Sequence, residues 1–352
     1  MRIPLATYRI QFNPSFNFQT GQNIIPYLAE LGVSDIYASP IFKSRTGSPH
    51  GYDIVDHNIL DPELGGTEGF EKLVTHLQRH GLGWLQDIVP NHMAYHHENK
   101  MLMDILEKGE CSEYFHFFDI DWNPPYENLK GKVLAPFLGR FYGDVLEDGE
   151  IQLDYEKGNL LVSYYGLKFL LNAESYQRIL GYKINRFKEM LGSDDSLFRL
   201  LVKIVEDFKK LKSRKKNSQK ISGMDQAKNG LWELYTKKNH VKQYLRENIK
   251  IFNGLKGHPE SFHLLDDLLS GQFFRLSFWK VATEEINYRR FFNLNELITL
   301  KMEDQTVFDH THSLIFKWTQ QGKFTGLRID HLDGLYDPTG YLKRLRQRTG
   351  DI

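Results

Sequence analysis

The chain has 352 residues, 41% of them apolar, and its 45 Lys and Arg residues balance its 45 Asp and Glu residues. This composition suffices for a large core in one to three domains, and the zero net charge argues against nucleic-acid or anionic-membrane partners. A single cysteine, Cys111, excludes a disulfide framework, and the N-terminus lacks an apolar stretch of signal-peptide length. We therefore expect a cytoplasmic protein that acts on a neutral substrate.

The first ninety residues alternate between strand and helix patterns. Pro40 and Pro90 follow the second and third strands, and a long loop containing Gly and Ser follows the second. This order predicts parallel strands joined by crossover helices. The predicted strands are 5–11, 33–39 and 83–89, and the predicted helices are 21–31 and a helix capped by Thr67 and ended by Gly81.

A long segment of different character follows the third strand. It is first rich in aromatic and turn residues and then helical, and the alternating pattern returns near Thr306, with a strand at 325–330 and a last helix from about Thr339. The basic run 209–216 is predicted as a solvated loop. The short strands of the segment are predicted near 133–138, 151–154 and 160–164, and its helices between 172 and 286.

Four strands and their helices predict an α/β fold, the first half of a (β/α)8 barrel of the TIM type with a large insertion after strand three. A parallel sheet of four strands alone would leave both edges exposed. The predicted division is 1–92 for strands one to three, 93–165 for an inserted domain with short strands, 166–286 for a helical insert, and 287–352 for the return to the barrel.

Polar clusters follow the predicted strands, at the end where barrel enzymes carry their catalytic groups. Arg328 and Asp330 are two residues apart on a strand, so both point to the same face, and the guanidinium favours the ionised carboxylate. An ionised carboxylate facing an anomeric carbon is the nucleophile of retaining glycosyl transfer. A structural network of Asp87, Arg328 and Asp330 is the alternative.

A metal site is a further alternative. His92 and His96 are four residues apart, and His97 and Glu98 follow. However, these residues come just after a strand and Pro90, with no helix and no HExxH order, which disfavours metal-dependent hydrolysis. We predict no metal and no cofactor.

The motifs after strands two, three and four resemble those of the α-amylase superfamily, glycoside hydrolase family 13. A narrower resemblance, to its maltooligosyl trehalose synthase family, runs through most of the chain and is weakest around 180–250. The segments that carry it are TYRIQF at 7–12, YLAELGVSDIYASPIFKSRTGSPHGYDIVD at 27–56, DPELGG at 61–66, DIVPNH at 87–92, DIDW at 119–122, EINYRRFFNLNEL at 285–297 and GLRIDHLDGLYDPTGYLKRLR at 326–346.

The resemblance implies roles for particular residues. Asp330 would be the nucleophile and Arg328 its partner, while the ring of Tyr52 would stack on the sugar of the −1 subsite. Asn91 matches a calcium-ligating position of amylases, but the resemblance to the trehalose-forming group implies no metal. The predicted substrate-binding residues are Tyr52, His50, Asp53, His92, Arg328 and His331, and the predicted supporting residues are Asp87, Asp333, Tyr288, Arg289 and Arg290.

The implied reaction is an intramolecular transglucosylation that converts the reducing-end α-1,4 link of a maltooligosaccharide to an α,α-1,1 link. Gly334 stands where many amylases have His, which favours the trehalose-forming group over an ordinary amylase. The family's acid/base Glu and its third carboxylate would lie beyond Ile352, so we expect part of a longer enzyme, monomeric when complete. The alternatives are another α-glucan hydrolase or transferase of the superfamily, or an inactive glucan-binding fragment.

Overall fold

The computed structural model describes residues 3–192, 195–213 and 218–352. Its internal contacts divide the chain into two compact units. Unit 1 comprises 1–100, 116–119 and 289–352, and unit 2 comprises 101–115 and 120–288. The division of the sequence into four parts stays a prediction.

Thirteen strands lie within the described residues. In chain order they are β1 (Thr7–Ile10), β2 (Asp35–Ala38), β3 (Phe42–Ser44), β4 (Ile54–Leu60), β5 (Gly83–Ile88), β6 (His92–Ala94), β7 (Val133–Leu138), β8 (Gln152–Glu156), β9 (Asn159–Tyr164), β10 (Leu167–Leu170), β11 (Phe274–Phe278), β12 (Leu297–Thr299) and β13 (Gly326–Ile329).

The same residues contain fourteen α-helices. They are α1 (Phe18–Gln22), α2 (Ile25–Glu30), α3 (Gly66–Arg79), α4 (Lys100–Lys108), α5 (Tyr142–Glu147), α6 (Ala173–Gly181), α7 (Asn185–Leu191), α8 (Asp195–Ser213), α9 (Ser218–Lys237), α10 (Asn239–Phe252), α11 (His263–Ser270), α12 (Ala282–Glu285), α13 (Gln305–Gln320) and α14 (Pro338–Thr349). None of the helices so described is both long and apolar enough to cross a lipid bilayer.

Unit 1 is built on a four-stranded sheet in the order β1-β2-β5-β13, and every neighbouring pair is parallel. The prediction of four parallel strands is therefore confirmed. Because all four strands run in the same direction, their carboxyl ends lie at one edge of the sheet. Residues that are register partners also point to the same face, so side chains from distant parts of the sequence meet there.

Aromatic side chains form much of the core beside this sheet. Trp84 of β5 stacks on Phe12 with ring centroids 5.8 Å apart, and its edge meets Phe70 of α3 at 5.1 Å. Phe70 also contacts Trp318 of α13 at 5.4 Å. Each of these rings is almost completely buried, so α3 and α13 are fixed against one face of the sheet by apolar contacts.

Several local predictions for unit 1 need correction. The helix predicted at 21–31 is two helices, α1 and α2. Pro26 lies in the first turn of the second helix, where its missing N–H costs no hydrogen bond. Thr67 does not cap α3, because the cap position is Gly65 in a left-handed conformation. The loop predicted after the second strand contains an antiparallel pair, β3 with β4, which sequence periodicity did not indicate.

Unit 2 combines helices with two small sheets. Strands β7 and β11 pair in parallel, and β8, β9 and β10 form an antiparallel meander. Strands β7, β8 and β9 lie where short strands were predicted, whereas β10 was not predicted and β11 lies within the segment 172–286 that was predicted as helical. The basic run 209–216, predicted as a loop, is helical as far as Ser213, and its remaining residues lie outside the described ranges.

Candidate active site

The carboxyl ends of β5 and β13 bring Asp87, Arg328 and Asp330 together. Arg328 is the register partner of Asp87, so the two side chains lie side by side on the sheet. Asp330 follows β13 directly, and its backbone N–H continues the ladder by donating to Ile88 O at 2.9 Å. The sheet therefore positions both carboxylates through backbone hydrogen bonds.

Asp87 is the buried centre of the cluster, with a side chain that is 0% exposed. Tyr52 Oη donates to its Oδ2 at 2.7 Å, and Tyr37 Oη donates to the same oxygen at 3.0 Å. Arg328 Nη1 donates to Oδ1 at 2.9 Å. Burial raises the pKa of Asp87, while the hydrogen bonds from Tyr52 and Arg328 oppose that rise by stabilising the carboxylate.

Asp330 accepts fewer side-chain hydrogen bonds than Asp87 does. Arg328 Nη1 donates to Asp330 Oδ1 at 2.6 Å, and the described residues supply no other donor to this carboxylate. The Asp330 side chain is 15% exposed. One oxygen is thus held in place by a guanidinium, and the second is available to a bound molecule.

Arg328 bridges the two carboxylates. Burial alone would lower its pKa, but the hydrogen bonds to Asp87 and Asp330 outweigh burial and raise it. The guanidinium is therefore a permanent cation that lies between the two carboxyl groups. The same contact supports the structural alternative, since an Asp–Arg–Asp network is also what holds two strand ends together.

Tyr37 and Arg9 belong to the cluster but were absent from the predicted site. They are register partners on β2 and β1, and Arg9 lies 5.6 Å from the centre of the Tyr37 ring. Arg9 Nη2 also donates to Tyr52 Oη at 3.4 Å. The available signal was the position of each residue near the end of a parallel strand, on the face used by Arg328.

Tyr52 occupies a tight loop whose shape depends on Gly51. Gly51 has φ +79°, and a Cβ there would stand 2.5 Å from Pro40 O, so no other residue fits without a shift. The Tyr52 backbone N–H donates to His50 Nδ1 at 3.0 Å. Because the Tyr52 hydroxyl is bonded to Asp87, the face of its ring is the part left for stacking on a ligand.

Asp53 fixes the same loop from inside. Ser48 Oγ donates to Asp53 Oδ1 at 2.5 Å, and Arg45 Nε lies 3.3 Å from Asp53 Oδ2. His50 Nδ1 is 3.8 Å from Asp53 Oδ1, and the His50 side chain is partly exposed. These contacts tie the loop that carries Tyr52. A direct contact of His50 or Asp53 with substrate stays a prediction.

His92 begins β6 and is buried, and Phe291 lies against it with ring centroids 4.4 Å apart. Burial lowers the pKa of His92 to about 3, and the nearby His331 lowers it further. The imidazole is therefore neutral near pH 7. Its Nε2 is buried and has no hydrogen-bond partner among the described residues, which leaves one ring nitrogen for a ligand hydroxyl.

His331 follows Asp330 in a left-handed conformation with φ +49°. The centroid of its ring lies 4.7 Å from that of Phe291 and 5.0 Å from that of Phe292. A Cβ at Gly334 would stand 2.1 Å from His331 Cδ2, so the imidazole fills the space that a side chain at 334 would need. Asp333 is 90% exposed and lies 3.6 Å from His331 Nδ1.

The run Tyr288 to Arg290 divides between the two units. Tyr288 is buried in unit 2, where it forms a β-bridge with Ile120. Arg289 and Arg290 belong to unit 1. Arg289 binds Asp119 through Nε at 2.8 Å and the carbonyl of Gly334 through Nη1 at 2.5 Å.

Arg290 Nη1 donates to Asn295 Oδ1 within unit 1. Arg289 thus holds the turn that follows Asp330, and Arg290 holds its own loop. Supporting roles of Arg289, Arg290 and Tyr288 at the site stay predictions.

Comparison with known proteins gives two kinds of match. The family model described as the α-amylase catalytic domain matches residues 22–146. A putative maltooligosyl trehalose synthase of Mycobacterium tuberculosis is 28% identical over 361 positions, which cover 98% of this chain and 33% of that protein. Alpha-amylase 2 of Dictyoglomus thermophilum is 29% identical over 223 positions, which cover 56% of this chain and 39% of that protein.

Solved structures agree. The structure of DSM5389 glycosyltrehalose synthase superimposes with a TM-score of 0.68 at 34% identity. The match covers 98% of this chain and 36% of the synthase chain. The maltooligosyltrehalose synthase of Arthrobacter ramosus superimposes with a TM-score of 0.65 at 28% identity, covering 98% and 33%. The chain spans about a third of the length of these synthases. The predicted resemblance is confirmed, and these matches imply a TIM-barrel-like fold.

Proposed function

Because the chain is related to the maltooligosyl trehalose synthases and partly matches the α-amylase catalytic domain, we propose that it contributes to a glucan-acting enzyme of family 13. The proposed reaction is an intramolecular transglucosylation. It converts the reducing-end α-1,4 link of a maltooligosaccharide to an α,α-1,1 link with net retention of configuration. The observation that carries the proposal is Asp330, which has one oxygen held by Arg328 and a partly exposed side chain.

In the first step, Asp330 attacks the anomeric carbon next to the terminal glucose. A carboxylate–carbon bond forms while the glycosidic carbon–oxygen bond breaks, and the leaving oxygen takes a proton from the enzyme's general acid. The resemblance assigns that acid to a Glu on the family's fifth strand. Arg328 orients Asp330 through a hydrogen bond, because the guanidinium is itself anchored on Asp87.

In the second step, the released glucose attacks the glycosyl-enzyme through its own anomeric hydroxyl. That hydroxyl loses its proton to the conjugate base of the general acid, and the bond to Asp330 breaks, which frees the carboxylate. Two inversions give retention. The neutral imidazole of His92 suits contact with an uncharged sugar hydroxyl, and the ring face of Tyr52 suits stacking on a pyranose.

The decisive experiment replaces the nucleophile in the intact parent enzyme. Asp330→Asn keeps the shape of the side chain and removes its charge, so conversion of maltopentaose to a non-reducing product should fall by about a thousandfold or more. Asp309→Asn is the matched control, because Asp309 lies on α13 and makes an exposed ion pair with Arg348. Undiminished conversion by Asp330→Asn would refute the mechanism. Products that retain reducing ends in the parent enzyme would instead identify a hydrolase.

A further inference from the structure

A turn that follows β6 brings two histidines and a glutamate together outside the cluster around Asp330. The backbone N–H of Asn99 donates to His96 O at 3.0 Å and closes the turn. The fully buried Asn99 side chain anchors it by donating to Ala94 O at 3.0 Å. This curvature points three consecutive side chains, His96, His97 and Glu98, to the same side, which an extended strand would not do.

Among the described residues, these three side chains form the one group of three or more potential metal ligands that lie close together. One imidazole nitrogen of each histidine and one Glu98 oxygen all lie within 4.8 Å of one another. Ligands about 2 Å from a tetrahedral metal ion lie about 3.3 Å apart, so shifts of at most about 1.5 Å complete the geometry. Side-chain rotation alone supplies movements of this size, and the backbone turn need not change.

Glu98 is held in place from a different segment of unit 1. Thr46 N–H donates to Glu98 Oε1 at 3.2 Å, and Thr46 Oγ1 donates to Oε2 at 2.9 Å. Each carboxylate oxygen has a second lone pair, so these bonds orient Glu98 and leave it able to bind a cation. Such contacts to a ligating carboxylate are the usual way in which proteins orient metal ligands.

Charged groups surround the position of His96. His96 Nδ1 lies 3.7 Å from Glu98 Oε1, and the ring centroids of His96 and His97 are 4.0 Å apart. Arg45 disfavours a positive charge at this position, while Glu98 and Asp53 favour it. Two carboxylates thus face the position together with one guanidinium. The side chains of His96 and Glu98 are 12% and 19% exposed, so an ion and its water ligands can reach them.

We propose that His96, His97 and Glu98 bind a divalent transition-metal ion of the Zn²⁺ class, with water completing the coordination. Two imidazole nitrogens and one carboxylate oxygen are a donor set that Zn²⁺ and Co²⁺ accept readily. The ion is structural. Through Glu98 and Thr46 it links the turn after His92 to the loop that carries Tyr52, and so fastens two segments of the candidate active site.

The test is a Co²⁺ titration of the 352-residue chain without a histidine tag, followed by visible absorption. His76 on α3 and the exposed His80 that follows the helix lie close together, with ring centroids 4.7 Å apart, and could bind the same ion, so His76→Ala is the parent for all variants. We expect saturation at one equivalent and displacement by Zn²⁺. His97→Ala and Glu98→Gln should each lose the signal, while the control His240→Ala on α10 should keep it.

Two further measurements separate ligation from folding. Thr46→Val removes the orienting hydroxyl and should weaken Co²⁺ binding by about 10- to 100-fold, whereas Thr46→Ser should retain it. Zn²⁺ should also raise the melting temperature of the parent but not that of Glu98→Gln. The site would be ruled out if the parent bound no Co²⁺, or if the spectrum were the same in His97→Ala and Glu98→Gln.

Discussion

The two units bury different kinds of polar groups. Among the described residues, the buried Asp, Glu and His side chains of unit 1 are Asp35, Asp53, Asp61, Asp87, His57, His92 and His312, whereas Glu107 is the one such side chain in unit 2. Unit 2 instead buries amides that satisfy backbone carbonyls, as Asn248 does with Ile179 O at 2.8 Å. Burying carboxyl and imidazole groups costs free energy, and among the described residues these groups are concentrated in the unit that holds the candidate site.

The contrast makes unit 1 the acid-sensitive unit. Burial lowers the pKa of His57 to about 4 and that of His312 to about 3, both from an ordinary value near 6.5. Between these values the unfolded chain binds more protons than the folded one. Stability is therefore fully present above pH 6.5 and is lost as the pH falls towards 4.

The largest predicted effect follows from this. Each of these two fully buried imidazoles should cost about 3 kcal/mol of unfolding free energy between pH 7 and pH 4. Urea unfolding at both pH values measures the loss. His312→Gln should reduce the pH dependence, and His263→Gln, on the exposed face of α11 in unit 2, should not. Equal pH dependence in the two variants would contradict the contrast between the units.

The second effect concerns Glu107, the buried carboxyl group of unit 2 named above. Lys228 Nζ binds Glu107, and the two side chains are 15% and 8% exposed. Glu107→Gln leaves the ammonium without its partner charge and should cost about 3 kcal/mol. The double variant Glu107→Leu with Lys228→Met should recover most of it, because an apolar pair avoids desolvating two ions. A double variant as unstable as Glu107→Gln would show that shape, not charge, matters here.

The smallest effect compares one hydroxyl from each unit. Tyr37→Phe removes a donor to Asp87, and Tyr244→Phe removes a donor to Leu180 O at 2.8 Å and Tyr182 O at 2.9 Å. Each should cost about 1 kcal/mol at pH 7. Only the Tyr37→Phe penalty should shrink in acid, as Asp87 gains a proton. Thermal unfolding at pH 7 and pH 4 tests this, and a penalty for Tyr37→Phe that is the same at both pH values would exclude an ionised Asp87 as the acceptor.

Much of unit 1 could be predicted because its strands are short, apolar and followed by proline or polar clusters. The positions of Arg328, Asp330 and Asp87 followed from strand order alone. Periodicity could not show β3 pairing with β4, because the partners are joined by a loop shaped by Gly51 and the Ser48–Asp53 bond. The hydrophobic pattern within one segment does not show which other segment pairs with it.

Arg9 and Tyr37 were missed for a related reason. Each looks like an ordinary residue of its own strand, and their meeting with Tyr52 and Asp87 depends on the register of three strands. Register is set by backbone hydrogen bonds between distant segments, which a single sequence does not display. The sequence likewise shows His96, His97 and Glu98 as neighbours, but it does not show the turn that brings their side chains together.

The space beside residue 334 admits one imidazole, and here it comes from three positions earlier in the chain. A histidine introduced at 334, as in many amylases, would collide with His331 unless that ring swung away from Phe291 and Phe292. The two imidazoles would occupy the same space, so only one of them can be present at a time. A glycine at this position therefore leaves the place beside Asp330 to the imidazole of His331, and a swap between the two arrangements requires paired substitutions.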